Sequence, residues 1–285
     1  MLRPLPVIPS LRAVEPIRRL RGGSQSHLMR ASDGRLYVVK FRNNPQHPRI
    51  LVNELLATLL AARIGLPTAP VALMEISGEF IERNPSLYIE LTRGRTLCLG
   101  GCQFASRYLG SPIGTAADLL NWPEGAVENA KDFIGMLLFD KWTCNTDGRQ
   151  VVFVRQRNSS TYRIHMIDQG FCFDGGRWCF PDGPIRSLYC NRRVYAGITG
   201  LESFEPWLSR LQADLTLDAI LETASQIPSE WLEPGDALLK LVQRLDRRRK
   251  LLSQLLFSMR DASPLVFNAW KTPSARVSGA HAPLA

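Results

Sequence analysis

The chain has 285 residues, 45% of them hydrophobic and 21% charged, which excludes a disordered chain and, with no apolar run of about 18 residues, a membrane span. The length suits about two domains or one large bilobal unit. Of the formal net charge of +9, residues 1–22 carry +4 and residues 240–285 carry +7, leaving −2 for the body between them, so nucleic acid is not the expected partner of that body.

Residues 1–20 read as an extended arm, because Pro4, Pro6, Pro9 and Pro16 each remove a backbone donor. Arginines and prolines break the apolar run that a secretory signal needs, so the expected location is the cytoplasm. The six cysteines, at positions 98, 102, 144, 172, 179 and 190, form no C-x-x-C pair and read as reduced thiols. Gly22-Gly23-Ser24-Gln25-Ser26 is a flexible loop leading into a strand near residues 27–30, a turn at Ser32-Asp33-Gly34 and a second strand over residues 36–41. The dense Leu/Ala/Val stretch at 48–64, stopped by Gly65 and Pro67, predicts a helix. Strands are expected at 69–76 and 86–92, and the glycines and cysteines of residues 94–112 read as a linker between two lobes.

The second half is expected to be largely helical. A helix over residues 127–142 runs into Cys144-Asn145-Thr146-Asp147-Gly148-Arg149-Gln150, and two strand-like runs, 151–157 and 161–167, form a hairpin that ends at Asp168-Gln169-Gly170. Further helices are expected within 202–225 and over 236–259, the latter capped by Asp236. Beyond Ala262 the Ser/Pro/Ala tail reads as disordered.

Phosphoryl transfer asks a protein mainly to position groups and neutralise charge. It calls for a glycine loop near the phosphates, a strand lysine held by a helix glutamate, a loop aspartate facing the attacking hydroxyl, and a second aspartate for metal. Gly22 and Gly23, Lys40, Glu54, Asp147 and Asp168 occur in that order. Singly each is weak: the glycines suit a plain turn, Lys40 a solvated strand edge, and the two aspartates polar turns. Glu54 is more informative, because Ile50, Leu51, Ala57 and Thr58 share its helix face and a carboxylate there wants a cation. The hairpin would return Asp168 to the neighbourhood of Asp147.

These motifs, with Gly23-Ser24-Gln25-Ser26-His27, Tyr37-Val38-Val39-Lys40-Phe41, Asn145-Thr146-Asp147-Gly148 and Ile167-Asp168-Gln169-Gly170, resemble the HipA-like kinases, a branch of the protein-kinase and phosphatidylinositol-kinase superfamily. The resemblance covers roughly residues 20–260 and implies an α+β, bilobal protein-kinase-like fold. Its small β-rich N-lobe with one helix would be residues 21–93 and its larger helical C-lobe residues 113–260, with 1–20 as the arm, 94–112 as the linker and 261–285 as the tail. It implies ATP and Mg²⁺ as cofactors and Ser/Thr phosphorylation of a protein substrate, with autophosphorylation in the loop that holds Ser24 and Ser26.

The implied roles place Gly22, Gly23, Ser24, Gln25 and Lys40 on the phosphates, Glu54 on Lys40, Asp147 as catalytic base, Asp168 on the metal, and Glu90 in a hinge strand, Tyr88-Ile89-Glu90-Leu91, against adenine. Asn145 would brace the catalytic loop, Arg149 would neutralise developing charge or, the commoner case, be an exposed loop arginine, and Trp178 and Phe180 either fall where an activation or substrate loop would run or are, equally well, buried aromatics. In one departure from the family pattern, Val152 stands where such kinases place the asparagine for a second metal; either Gln150 replaces it or the site holds a single metal. That departure keeps open a pseudokinase or scaffold that binds nucleotide or a partner without transfer.

Overall fold

The computed structural model describes residues 1–110, 116–117, 127–155 and 160–270. Five strands close a barrel in the order β1 (Ser10–Arg19), β2 (His27–Ala31), β3 (Leu36–Lys40), β7 (Gly101–Arg107), β4 (Val71–Ile76). Helix α1 (Ile50–Arg63) follows β3, and α2 (Gly78–Arg83) precedes a separate two-stranded ribbon, β5 (Tyr88–Leu91) with β6 (Gly94–Leu97). The short β8 (Ala116–Ala117) pairs with β9 (Gln150–Arg155), which pairs in turn with β10 (Tyr162–Ile167). The remaining helices are α3 (Asp132–Thr143), α4 (Trp207–Ser209), α5 (Leu217–Ala224), α6 (Ala237–Arg249) and α7 (Leu252–Ala262).

Strand periodicity sorts the barrel faces. Along β3, Tyr37 and Val39 point into a core with Met29, Ala72, Met74 and Ala105, so Val38 and Lys40 must face the other way. Helix α1 packs on that outer side and is buried all round, every residue but Ala62, as expected of a helix without a polar stripe. Its leucines share one core cluster with Phe104 of β7, Phe133 and Trp142 of α3, and Leu241 and Leu245 of α6. The β9–β10 register sets Gln150 opposite Ile167, so the loop before β9 and the loop after β10 leave the hairpin at the same end.

Several expectations are corrected. Residues 10–19 of the supposed arm form β1, parallel to β4 and antiparallel to β2, with register shifts on either side of Pro16 that accommodate the missing donor. The supposed linker contains β6 and β7, and β7 is hydrogen-bonded to both β3 and β4 inside the barrel; residues 111–112 lie outside the described residues. Helix α3 begins at Asp132 because Val127 bridges to Tyr162 and the Glu128 N–H donates to Tyr162 O at 2.9 Å. The long C-terminal helix is two, separated where the Leu251 N–H closes back three residues onto Arg248 O. Asp236 does not cap it; its carboxylate pairs with Lys240 at 2.9 Å. Of the supposed tail, Phe267 and Trp270 are buried in the core, and residues 271–285 lie outside the described residues, as do 156–159 of the expected hairpin turn.

Candidate active site

A cavity of about 250 Å³ opens between the barrel and the β9–β10 hairpin. Val38 and Phe104 line it from the barrel, Val152 and Ile167 from the hairpin, and Lys40, Glu54 and Asp168 form its charged end. Strand alternation puts Val38 and Lys40 on this side of β3, and the Lys40↔Phe104 pairing places the aromatic ring beside the lysine.

Lys40 is held by two carboxylates. Its Nζ donates to Glu54 Oε1 in a close buried pair and to Asp168 Oδ1 at 2.8 Å. Lys40 and Glu54 are only 5% and 3% exposed, so the charges compensate each other where water cannot. Burial alone would lower the lysine pKa, but the two carboxylates raise it well above its ordinary value. Burial also pushes the Glu54 carboxyl up against the pull of Lys40, whereas at Asp168 burial is outweighed by Lys40 and the carboxyl lies below its usual range. Asp168 is the more acidic member of the pair and the stronger candidate for a cation.

The two loops are built by specific backbone turns. Helix α3 ends at Cys144 in the left-handed region, φ +50°, with the Asn145 N–H returning to Asp140 O at 3.0 Å. Asn145 Oδ1 then accepts the Asp147 N–H at 3.1 Å and Asp147 Oδ1 accepts the Gly148 N–H at 2.8 Å, which leaves Asp147 exposed beside the cavity. Gln150 lines the cavity and donates through Nε2 to Asp147 Oδ2 at 3.4 Å. After β10, Asp168 takes φ +58°, and the Gln169 N–H donates to Glu54 Oε2 at 3.0 Å. Gly170 is required next, because a Cβ there would meet Ile50 Cγ1 at 2.9 Å.

A family model for HipA-like kinase matches residues 14–176, more than half of the chain and all of these motifs. The chain belongs to the HipA-like kinase family. This kinase-family chain is also similar in fold to hydra Fam20, solved with sugar (TM-score 0.56, 11% identity, 88% of this chain and 86% of that one). It is similar to the Helicobacter pylori proinflammatory kinase CtkA (TM-score 0.53, 13% identity, 91% and 99%) and to the Golgi casein kinase (TM-score 0.53, 13% identity, 92% and 76%). At such identities the likeness is one of fold. No curated protein matches the sequence.

Within this HipA-like kinase, the structure brings Lys40, Glu54, Asp168, Gln150 and Ser24 to one cavity. It does not bring Glu90 there. The Glu90 backbone is instead occupied by Gln25, whose Nε2 donates to Glu90 O at 2.8 Å and whose Oε1 accepts the Glu90 N–H at 2.7 Å. The cavity edge beside Phe104 is formed by residues 106–110, at the end of β7 and just beyond it. Gly22 and Gly23 lie in the loop above the cavity but not in its wall, which takes Leu20, Arg21, Ser24 and Ser26 from that segment.

Arg149 is not an exposed loop arginine: it is buried against Asp140. Trp178 is buried too, donating through Nε1 to Asn53 Oδ1 at 2.8 Å, while Phe180 is half-buried at the core margin. The sequence reading missed Asp140 and Asn53. Asn53 Nδ2 donates to the carbonyls of Gly170, Cys172 and Gly175 at 2.8–3.0 Å and so shapes the loop after Asp168. Each carried a signal, being a polar group in an otherwise apolar helix, the same signal that singled out Glu54.

Proposed function

We propose that the protein is an ATP- and Mg²⁺-dependent phosphotransferase of two-lobed kinase architecture that phosphorylates a Ser or Thr hydroxyl of a protein. The observation that carries this reading is Lys40 gripped between Glu54 and Asp168 at the end of an apolar cavity, with the exposed Asp147 reached from it through the cavity-lining Gln150. The residues suit both cofactors. Val38, Phe104, Val152 and Ile167 offer apolar faces to a flat ring, and Leu109 and Gly110, beyond the hydrogen-bonded Arg107 and Tyr108, lie at its edge. Among the described residues no three His, Cys, Asp or Glu gather as a ligand set. A cation on Asp168 would therefore draw its other oxygens from Gln150, phosphate and water, as suits Mg²⁺.

When bound, ATP with its cation supplies the transferable phosphoryl group and part of the counter-charge. Lys40, kept cationic by its carboxylates, would hold phosphate oxygens, with Glu54 fixing its direction. Asp147 would accept or orient the acceptor hydroxyl proton, its backbone fixed by Asn145. Ser24 lines the cavity with its Oγ 2.9 Å from Ser26 Oγ, which makes this loop the candidate for autophosphorylation. The six unpaired thiols, four of them buried, suit a cytoplasmic enzyme; no described helix is long and apolar enough to cross a membrane.

A second reading rests on Val152, which lines the cavity where a second-metal asparagine is expected: a pseudokinase that binds nucleotide without transfer. Titration of ATP with and without Mg²⁺ into wild type and Asp168→Asn, followed by phosphate transfer, separates the two. The kinase reading expects Mg²⁺ to tighten binding in wild type only, and to be followed by transfer. Tight binding without transfer to itself or to any protein acceptor favours the pseudokinase.

A further inference from the structure

Arg149 follows Asp147 by two residues, yet its side chain is 1% exposed and that of its partner Asp140, on α3, is 0%. The guanidinium grips Asp140 with two prongs: Nε donates to Oδ2 at 2.8 Å and Nη2 to Oδ1. The third nitrogen, Nη1, donates to Ile167 O at 3.0 Å and to Gln169 Oε1 at 2.8 Å. Those two residues flank Asp168, which sits between them at φ +58°, a region that an L-residue occupies only when its surroundings hold it there. On the other side of the pair, Asp140 Oδ1 accepts from Asn145 Nδ2 at 3.1 Å, and Asn145 Oδ1 accepts the Asp147 N–H at 3.1 Å. A single ion pair thus reaches the backbone carbonyl before Asp168, the side chain of the residue after it and, through Asn145, the backbone of Asp147.

A buried ion pair carries a desolvation penalty that apolar residues of the same volume would avoid. What it supplies instead is direction, and only the planar guanidinium fork can serve a carboxylate and two further acceptors at once. Arg149 does not line the cavity, so it does not act on phosphate directly. We propose that Arg149, anchored by Asp140, is a positioning residue that fixes the separation between Asp147 and Asp168. The proposal rests on the kinase reading above, and it assigns Arg149 an effect on turnover and metal dependence more than on binding of the nucleotide ring, because of that ring's apolar walls Arg149 meets only the Ile167 carbonyl and no side chain.

The test compares the full chain with Arg149→Lys, which keeps the charge but loses the fork, and with Gln169→Met, which removes one acceptor while leaving the Gln169 N–H on Glu54. The readouts are ADP binding without divalent metal, kcat and KM for ATP hydrolysis or autophosphorylation, the Mg²⁺ activation curve, and the thermal midpoint. Both variants are expected to bind metal-free ADP within about threefold of wild type, to lose about tenfold or more in kcat, and to need more Mg²⁺, because ångström-scale misplacement of reacting groups is that damaging. If Arg149→Lys does not fold, Gln169→Met decides.

Wild-type kcat per folded molecule and an unchanged Mg²⁺ curve in the folded variants, with or without a lower thermal midpoint, would make the pair merely structural and overturn the proposal. A wild type that neither binds nucleotide nor transfers phosphate overturns the kinase reading itself and the positioning role with it. An active wild type beside indifferent variants overturns the positioning role alone.

Discussion

Replacing Glu54 by Gln probes the buried triad directly. Both Glu54 oxygens are used, Oε1 by Lys40 Nζ and Oε2 by the Gln169 N–H. A glutamine of the same shape has one oxygen, so its amide NH₂ must face either the ammonium or the N–H. A buried donor left without an acceptor costs about 1–3 kcal/mol. Lys40 also loses one of two carboxylates; removing the sole partner of a buried charge costs about 3–5 kcal/mol, but Asp168 remains at 2.8 Å, which keeps the loss toward the lower end. The combined destabilisation is about 3 kcal/mol, or about 1 M in urea midpoint at a slope of roughly 2–3 kcal/mol/M. With Lys40 leaning on Asp168 alone, that carboxylate is less available to a cation, and Mg²⁺-dependent ATP binding weakens by about tenfold. Urea unfolding and nucleotide titration read the two effects separately. A Glu54→Gln variant with an unchanged midpoint and unchanged binding would refute the claim that the three side chains act as one unit.

Three further outcomes follow from the geometry. Burial lowers the His27 pKa from 6.5 to about 4, so between those values the unfolded chain binds the more protons and stability falls as pH drops through that window. The loss reaches about 3 kcal/mol near pH 4, and urea midpoints measured at stepped pH should show a shallower fall in His27→Phe; an identical slope contradicts the assignment. Gln25→Ala frees the glycine loop from Glu90 and should raise KM for ATP by about two- to tenfold, the worth of about 0.5–1.5 kcal/mol of ordering, with little change in thermal midpoint. An unchanged KM would show that the loop needs no tether. Gly170→Ala forces a Cβ to within 2.9 Å of Ile50 Cγ1 and should cost about 1–3 kcal/mol, read as a lower thermal midpoint, and the cost should shrink in an Ile50→Ala background, which lacks Cγ1; an unchanged cost there would place the strain elsewhere.

What could be read from the sequence was what local pattern encodes. The apolar density of residues 48–64 and its Gly/Pro stop located α1, and a carboxylate on its apolar face pointed to a buried cation. The β9–β10 hairpin and the order of the charged residues pointed to two facing loops. What failed depended on distant pairing. Strand β1 is interrupted by Pro16 and takes its strand character from β2 and β4. Strand β7 follows Gly100 and begins at Gly101, whose glycine signal reads as a linker until the close approach of Gly100 to the backbone of Ile76 and Gly78 is known. The motif Tyr88-Ile89-Glu90-Leu91 looks like a hinge strand, but among the described residues it pairs with β6 alone, and the cavity edge at residues 106–110 has no local signature. Arg149 misled because a charged loop residue is normally solvated; its anchor lies nine positions back on α3. Phe267 and Trp270 were hidden by the Ser/Pro composition around them, although two large aromatics in such a segment are themselves a burial signal.

If Lys40, Asp147 and Asp168 act together in phosphate transfer, loss of either aspartate abolishes it. The most direct test is intact mass of the purified chain after incubation with Mg²⁺ and ATP, beside Asp147→Asn and Asp168→Asn that retain wild-type thermal midpoints. Phosphate should be added to wild type and to neither variant, with Asp147→Asn still binding ATP. Transfer persisting in both folded variants would contradict this joint action.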